Sequence, residues 1–226
     1  MSDRPARVRD LFEQAGYTVD GVRQLLGPVA GAALARDEIV PALRASRGGT
    51  PLETLLRLFW IQVPVPDTAL PFDDLTALGL VEHDGDEVRA RLHVEPVEST
   101  PAGYVVSDLR TRPGDGPLRG DHVVGQGGAS ANLAQLVVHR PVDNLLDLGT
   151  GSGVQAVHLA GRAQRITATD LNPRAIDLAA LSFALSGIEA ELLTGDLFAP
   201  VEGREFDLVV SNPPFVISPD RRFGYR

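Results

Sequence analysis

The stretch Val142-Asp-Asn-Leu-Leu-Asp-Leu-Gly-Thr-Gly-Ser-Gly153 reads as a buried strand running straight into a glycine turn. Glycines at 149, 151 and 153 allow a sharp reversal into a helix, because they accept backbone angles that other residues resist. An acid, Asp170, ends the next strand roughly 20 residues on. Strand, glycine turn, helix and then an acid is how α/β folds bind an adenosine ribose. The dinucleotide fingerprint needs Gly or Ala three positions after its second glycine, and this chain has Val154 there. The spacing Gly149-x-Gly151-x-Gly153 therefore suits S-adenosylmethionine better than NAD. A tight strand–helix turn also needs glycines without any ligand, so the turn does not stand by itself.

Outward from that stretch, apolar runs and helical periods alternate over 143–148, 153–162, 165–169, 173–186, 189–193 and 206–211. This alternation predicts a parallel, doubly wound sheet. Its last run, Phe206-Asp-Leu-Val-Val-Ser-Asn-Pro-Pro-Phe215, stops abruptly on a polar amide and two prolines. Proline lacks a backbone N–H and has a locked φ, so neither Pro213 nor Pro214 extends the strand. The preceding carbonyls are left beside the Asn212 side chain and the ring of Phe215. Two acceptors and an aromatic face suit a planar NH2 group. An ordinary turn is the bland reading of the same residues.

Asp170 sits in Thr169-Asp-Leu-Asn-Pro173, where ribose hydroxyls would be gripped. Asn172 fits the alternative role, capping a helix that starts at Pro173, more naturally. Asp196, in Gly195-Asp-Leu-Phe198, ends the third strand, where open α/β sheets place ligands. Asp196 is also a common type of turn residue.

The first half reads differently. Val8, Leu11, Phe12 and Ala15 fall at helical spacing, and Thr18 caps a short helix ending at Gly27. Pro28 opens another helix, Pro51–Trp60 is strongly apolar, and Pro71–Gly79 is a further short helix. Runs Leu80–His83 and Val88–Val94 flank Asp84-Gly-Asp86 as a hairpin, with Arg89, Arg91 and His93 facing outward. Helices followed by a hairpin resemble a winged helix, and the acidic hairpin favours docking or dimerisation over DNA reading. Thr111–Arg119, rich in Pro and Gly, reads as a linker or a loop between domains. The expected organisation is a helical recognition or docking domain over 1–110 and an α/β domain over 121–226. In the latter, Gly125-Gln-Gly-Gly128 leads into a helix, Ser130–His139.

All 21 basic residues are arginine. This excludes a P-loop lysine, a Schiff-base lysine and a Ser-Lys dyad. The formal net charge of −9 disfavours a nucleic-acid partner, since such a surface repels phosphate. Without cysteine there are no disulfides or thiolate ligands, and the five histidines show no metal-ligand spacing. No apolar run is long enough to span a membrane and no basic, apolar leader stands at the start, so a cytoplasmic protein is expected.

Asp147-Leu-Gly-Thr-Gly-Ser-Gly153, Asp170-Leu-Asn-Pro173, Gly195-Asp-Leu-Phe198 and Ser211-Asn-Pro-Pro-Phe215 occur in this order. With these four motifs, residues 121–226 resemble a class I S-adenosylmethionine-dependent methyltransferase of the Asn-Pro-Pro-aromatic branch. The likeness is strongest to the HemK-like protein-glutamine N5-methyltransferases, which modify release factors. Ribosomal RNA N-methyltransferases carry similar motifs. The resemblance implies a Rossmann-like sheet and S-adenosylmethionine as cofactor. It places the cofactor on Asp147, Gly149, Thr150, Gly151, Gly153, Asp170, Leu171, Asp196, Leu197 and Asn212. Catalysis would fall to Asn212, Pro213, Pro214 and Phe215: the first two orient the nitrogen and the ring of Phe215 stacks on it. The expected acceptor is a protein glutamine, with RNA or a small molecule as the alternative substrate and a non-catalytic scaffold as the alternative class. The resemblance also supplies seven strands, so the sheet is expected to be truncated after its fourth, with the glycine-turn strand lacking one neighbour and the 88–94 and 104–106 runs lying in the other half.

Overall fold

The structure, a computed structural model, describes residues 3–99, 102–111, 116–137 and 140–213. The chain forms two compact units, residues 1–98 with 106–115 and residues 99–105 with 116–226.

The first unit holds α1 (Arg4–Gln14), α2 (Val19–Leu34), α3 (Val40–Ala45), α4 (Pro51–Leu55) and α5 (Asp73–Ala77), with α4 running on as a wider π turn to Trp60. Thr18 caps α2 by accepting the Gly21 N–H, and Gly27, at φ 62°, divides α2 just before Pro28. Thr50 and Glu53 close a reciprocal capping box at the start of α4. Hydrogen bonds from the Thr50 and Gly48 N–H groups, the former contributing most, hold the Glu53 carboxyl below its ordinary range. Phe12 packs edge-on against Tyr17 at 5.3 Å and Phe59 at 6.0 Å, all three fully buried. Strands β1 (Val65–Pro66), β2 (Val81–Asp84) and β3 (Glu87–Ala90) form an antiparallel sheet in the order β1-β3-β2.

The expected strand Val88–Val94 is broken. The Arg91 and Leu92 N–H groups turn back onto the Leu80 carbonyl, and a new strand, β4 (His93–Val97), follows. His93 is fully buried rather than outward, its Nδ1 donating to the Phe59 carbonyl at 2.7 Å. Alternation failed there because Arg91 and Leu92 both face Leu80, a bulge whose extra residue shifts the period by one.

The second unit contains α6 (Gly128–Leu136), β6 (Val142–Leu148), α7 (Val154–Leu159), β7 (Ala163–Asp170), α8 (Pro173–Ser186), β8 (Glu191–Thr194) and β9 (Leu208–Ser211). The four strands form a parallel sheet in the order β8-β7-β6-β9, a Rossmann-like arrangement. This corrects one expectation: β6, which feeds the glycine turn, has β7 on one side and β9 on the other. The edge strands among the described residues are β8 and β9. The chain after β8 crosses back over β6 and β7, and strand order cannot be read from chain order. A second correction concerns β5 (Gly103–Ser107), whose first three residues group with the second unit. The Ser186 hydroxyl at the end of α8 accepts the Tyr104 N–H at 2.9 Å and donates to its carbonyl at 3.1 Å.

Candidate active site

Parallel register carries the sequence motifs to one edge of the sheet. Leu148 pairs with Thr169 and with Ser211, and Asp170 pairs with Thr194. The glycine turn, Asp170, Asp196 and Asn212 therefore all emerge at the carboxyl ends of neighbouring strands, where open α/β sheets bind ligands. A further bond, Gly195 N–H to the Asp170 carbonyl at 2.9 Å, ties the third strand end to the second.

The turn is built from below. Gly149 and Thr150 both donate their N–H groups to the Thr169 carbonyl at 2.9 Å. Asp147 is 1 % exposed, and its Oδ2 accepts from Thr150 Oγ1 at 2.7 Å and from the Ala156 N–H at 3.1 Å. Burial pushes the Asp147 carboxyl up to about 6, against the opposing pull of those two bonds, with the nearby Asp170 adding to the rise. Asp147 thus clasps the turn to the start of α7. Gly153 has φ 85°, and a Cβ there would stand 2.7 Å from the Phe183 ring, so glycine is required twice over. A Cβ built on Gly149 or Gly151 meets no atom within 4 Å. Their backbone faces open space that a ligand can enter.

Asp170 serves both turns around it. Its Oδ2 accepts the Gly151 N–H at 2.8 Å and its Oδ1 the Asn172 N–H at 2.9 Å. Asn172 caps α8 through the Arg174 N–H, as its position before Pro173 suggested. Leu171 and Leu197 are 54 % and 66 % exposed just past the ends of β7 and β8. Leu197 holds a positive φ of 46°, and Asp196 is exposed beside it. Asn212 is half-buried, its Nδ2 donating to Ser130 Oγ at 2.9 Å, and Pro213 is exposed. Pro214 and Phe215 lie outside the described residues.

Sequence reading missed the segment that runs along this edge. The Asp121 carbonyl accepts from Asn172 Nδ2 at 3.0 Å, and the Val124 carbonyl from Ser152 Oγ at 3.0 Å. Gln126 meets His158 at 3.1 Å, and the Ser130 carbonyl accepts from Gln155 Nε2 at 2.9 Å. Gly125-Gln-Gly-Gly128 had marked only a helix start; the segment around it, residues 121–130, bonds to partners 25 to 51 residues away in the chain. Among the described residues no group of His, Asp and Glu could hold a metal ion, and no helix is long and apolar enough to cross a membrane.

The second unit thus has a parallel sheet with a glycine turn on an inner strand and an Asn-Pro strand end beside it, the arrangement expected from the resemblance to class I methyltransferases. Residues 127–223 match the family model described as methyltransferase small domain. That match runs over the sheet and the strand-end motifs of the second unit, so the second unit is similar to methyltransferase domains. Residues 14–91 match a domain of unknown function. The release factor glutamine methyltransferase of Deinococcus radiodurans is 43 % identical over 79 residues, 34 % of this chain and 28 % of that protein. Ribosomal RNA small subunit methyltransferase C of Citrobacter koseri is 33 % identical over 132 residues, 55 % of this chain and 37 % of that one. The chain thus spans well under half the length of these curated relatives. Among solved structures, a T. thermophilus 16S rRNA N2 methyltransferase in complex with AdoMet and guanosine has a TM-score of 0.44 at 18 % identity, covering 63 % of this chain and 43 % of that one.

Proposed function

We propose that the second unit binds S-adenosylmethionine and methylates the planar NH2 nitrogen of a protein glutamine. The observation that carries this reading is the register of β6, β7, β8 and β9, which brings the glycine turn, Asp170, Asp196 and Asn212 to one edge. The residues fit the cofactor. Each Asp170 oxygen accepts one backbone N–H and keeps a lone pair for a ribose hydroxyl. Exposed Leu171 and Leu197 offer apolar surface for an adenine ring, and Asp196 an acceptor for its amino group. Gly149 and Gly151 border open space for the methionine portion, with Asp147, Thr150 and Gly153 shaping the turn beneath.

When bound, S-adenosylmethionine supplies a methyl group on a sulfonium, open to in-line attack by a nitrogen lone pair. The amide nitrogen of glutamine is a poor nucleophile because its lone pair is delocalised. Asn212 Oδ1 and the Pro213 carbonyl accept its two N–H groups, aiming the lone pair and stabilising the positive charge that develops on nitrogen. Phe215 stacks on the planar group. The methylated, positively charged nitrogen would lose one proton to water, with the sulfonium leaving as the neutral thioether S-adenosylhomocysteine, so a strong base is not required.

The guanine amine of RNA has the same planar NH2 chemistry, and the 132-residue match to an RNA methyltransferase supports it as the second reading. The net charge of −9 opposes it. Incubating the chain with tritiated S-adenosylmethionine and bacterial lysate separates the two. Label released by protease supports glutamine, label released by nuclease supports RNA, and label that passes into the small-molecule fraction rejects both. Asn212→Ala should keep cofactor affinity and lower transfer on the order of 100-fold. Near-normal transfer in that variant would reduce Asn-Pro-Pro to a turn.

A further inference from the structure

An asparagine amide serves an NH2 group only with its oxygen forward; with its own amino group forward, donor faces donor. Oδ1 and Nδ2 branch from one carbon, so holding one fixes the direction of the other. Among the described residues, the Asn212 side chain makes a single hydrogen bond, from Nδ2 to Ser130 Oγ at 2.9 Å. Ser130 is 9 % exposed on the first turn of α6, and is held in turn by Gln155 Nε2 on its carbonyl at 2.9 Å. Gln155 is 3 % exposed on α7, the helix that leaves the glycine turn. The strand end is fixed separately, Ser211 Oγ donating to the Leu148 carbonyl at 2.7 Å.

We propose that Ser130 is a positioning residue for methyl transfer. It engages the amino half of Asn212 and leaves Oδ1 for the N–H of the methyl acceptor. Through Gln155 it also ties that orientation to the helix after the glycine turn. The inference rests on the methyl-transfer reading, and its test keeps the two apart.

The chain has four asparagines, at 132, 144, 172 and 212, so asparagine-selective nitrogen-15 labelling yields a simple side-chain amide spectrum, with Asn212 assigned by its loss in Asn212→Ser. In the full chain, one of the two Nδ2 protons of Asn212 should exchange with water on the order of tenfold more slowly than the other, a protection a hydrogen bond confers. Ser130→Ala should abolish the difference and Ser130→Thr restore it. Ser130→Cys, nearly isosteric and a weak acceptor, serves if the alanine variant does not fold. In the tritium assay, Ser130→Ala should lower turnover on the order of tenfold at unchanged cofactor Kd, with Thr rescuing it. Equal exchange of both protons in the unaltered chain, or undiminished protection in both the alanine and cysteine variants, overturns the proposal. So does unchanged turnover in Ser130→Ala where Asn212→Ala is inactive. Intact protection in a chain that transfers no methyl group overturns the methyl-transfer reading and supports the hydrogen-bond assignment.

Discussion

Asp147 shows how much a single buried side chain can do for the turn around it. Its folded-state value of about 6 exceeds the ordinary carboxyl value. The neutral form is therefore favoured by folding. Stability from this group is complete below about pH 4 and is lost as pH rises through about 6, a change of about 3 kcal/mol over roughly two units. Asp147→Asn keeps an acceptor for Thr150 and the Ala156 N–H but cannot ionise. Urea midpoints measured from pH 4 to pH 7 should fall with pH in the parent chain and fall less in the variant; parallel curves would mean that the carboxylate is solvated. Asp170 works differently, since it holds two backbone N–H groups and still has lone pairs to offer. Asp170→Ala should weaken S-adenosylmethionine binding by about 1.5–3 kcal/mol in calorimetry. Unchanged affinity would remove Asp170 from the site.

At the scale of elements, the junction of β6 and α7 is where packing is least forgiving. Gly153→Ala adds a methyl 2.7 Å from Phe183 and forces alanine into a left-handed conformation. The expected loss is about 1–3 kcal/mol in chemical denaturation. Phe183→Leu in the same chain should recover only part, because it relieves the contact and not the backbone strain; full recovery would show that φ is unimportant there. The start of α4 offers a milder case. Thr50 accepts the Glu53 N–H while Glu53 returns two bonds to Thr50, so Thr50→Ala should cost about 1 kcal/mol.

For the molecule as a whole, each unit carries its own core. Phe59 meets Phe12 at 6.0 Å and Tyr17 at 6.3 Å, and Trp60, the single tryptophan, stands beside this cluster in the first unit. Phe59→Ala should remove about 3–5 kcal/mol, lowering the midpoint read by Trp60 fluorescence. A midpoint that does not move would place Trp60 outside the cooperative core of that unit.

The α/β class, the four strands, the capping of α2 by Thr18, its division at Gly27 and the capping of α8 by Asn172 were legible in the sequence, because each follows from local rules. Hydrophobic period, glycine conformation and side-chain capping act over a few residues. The glycine turn, Asp170, Asp196 and Asn212 were legible as residues for the same reason, each being punctuation at a strand end. Their grouping around one cofactor was expected from the parallel sheet and the resemblance, but the strand order that seats them was not legible. In the order β8-β7-β6-β9, β9 returns to pair with β6 from about sixty residues away, and no local signal marks that pairing. The inward turn of His93, the attachment of Tyr104 to Ser186 and the hold of Ser130 on Asn212 likewise join distant residues. Only the tertiary structure decided them, since such contacts depend on which surfaces the folded chain brings together.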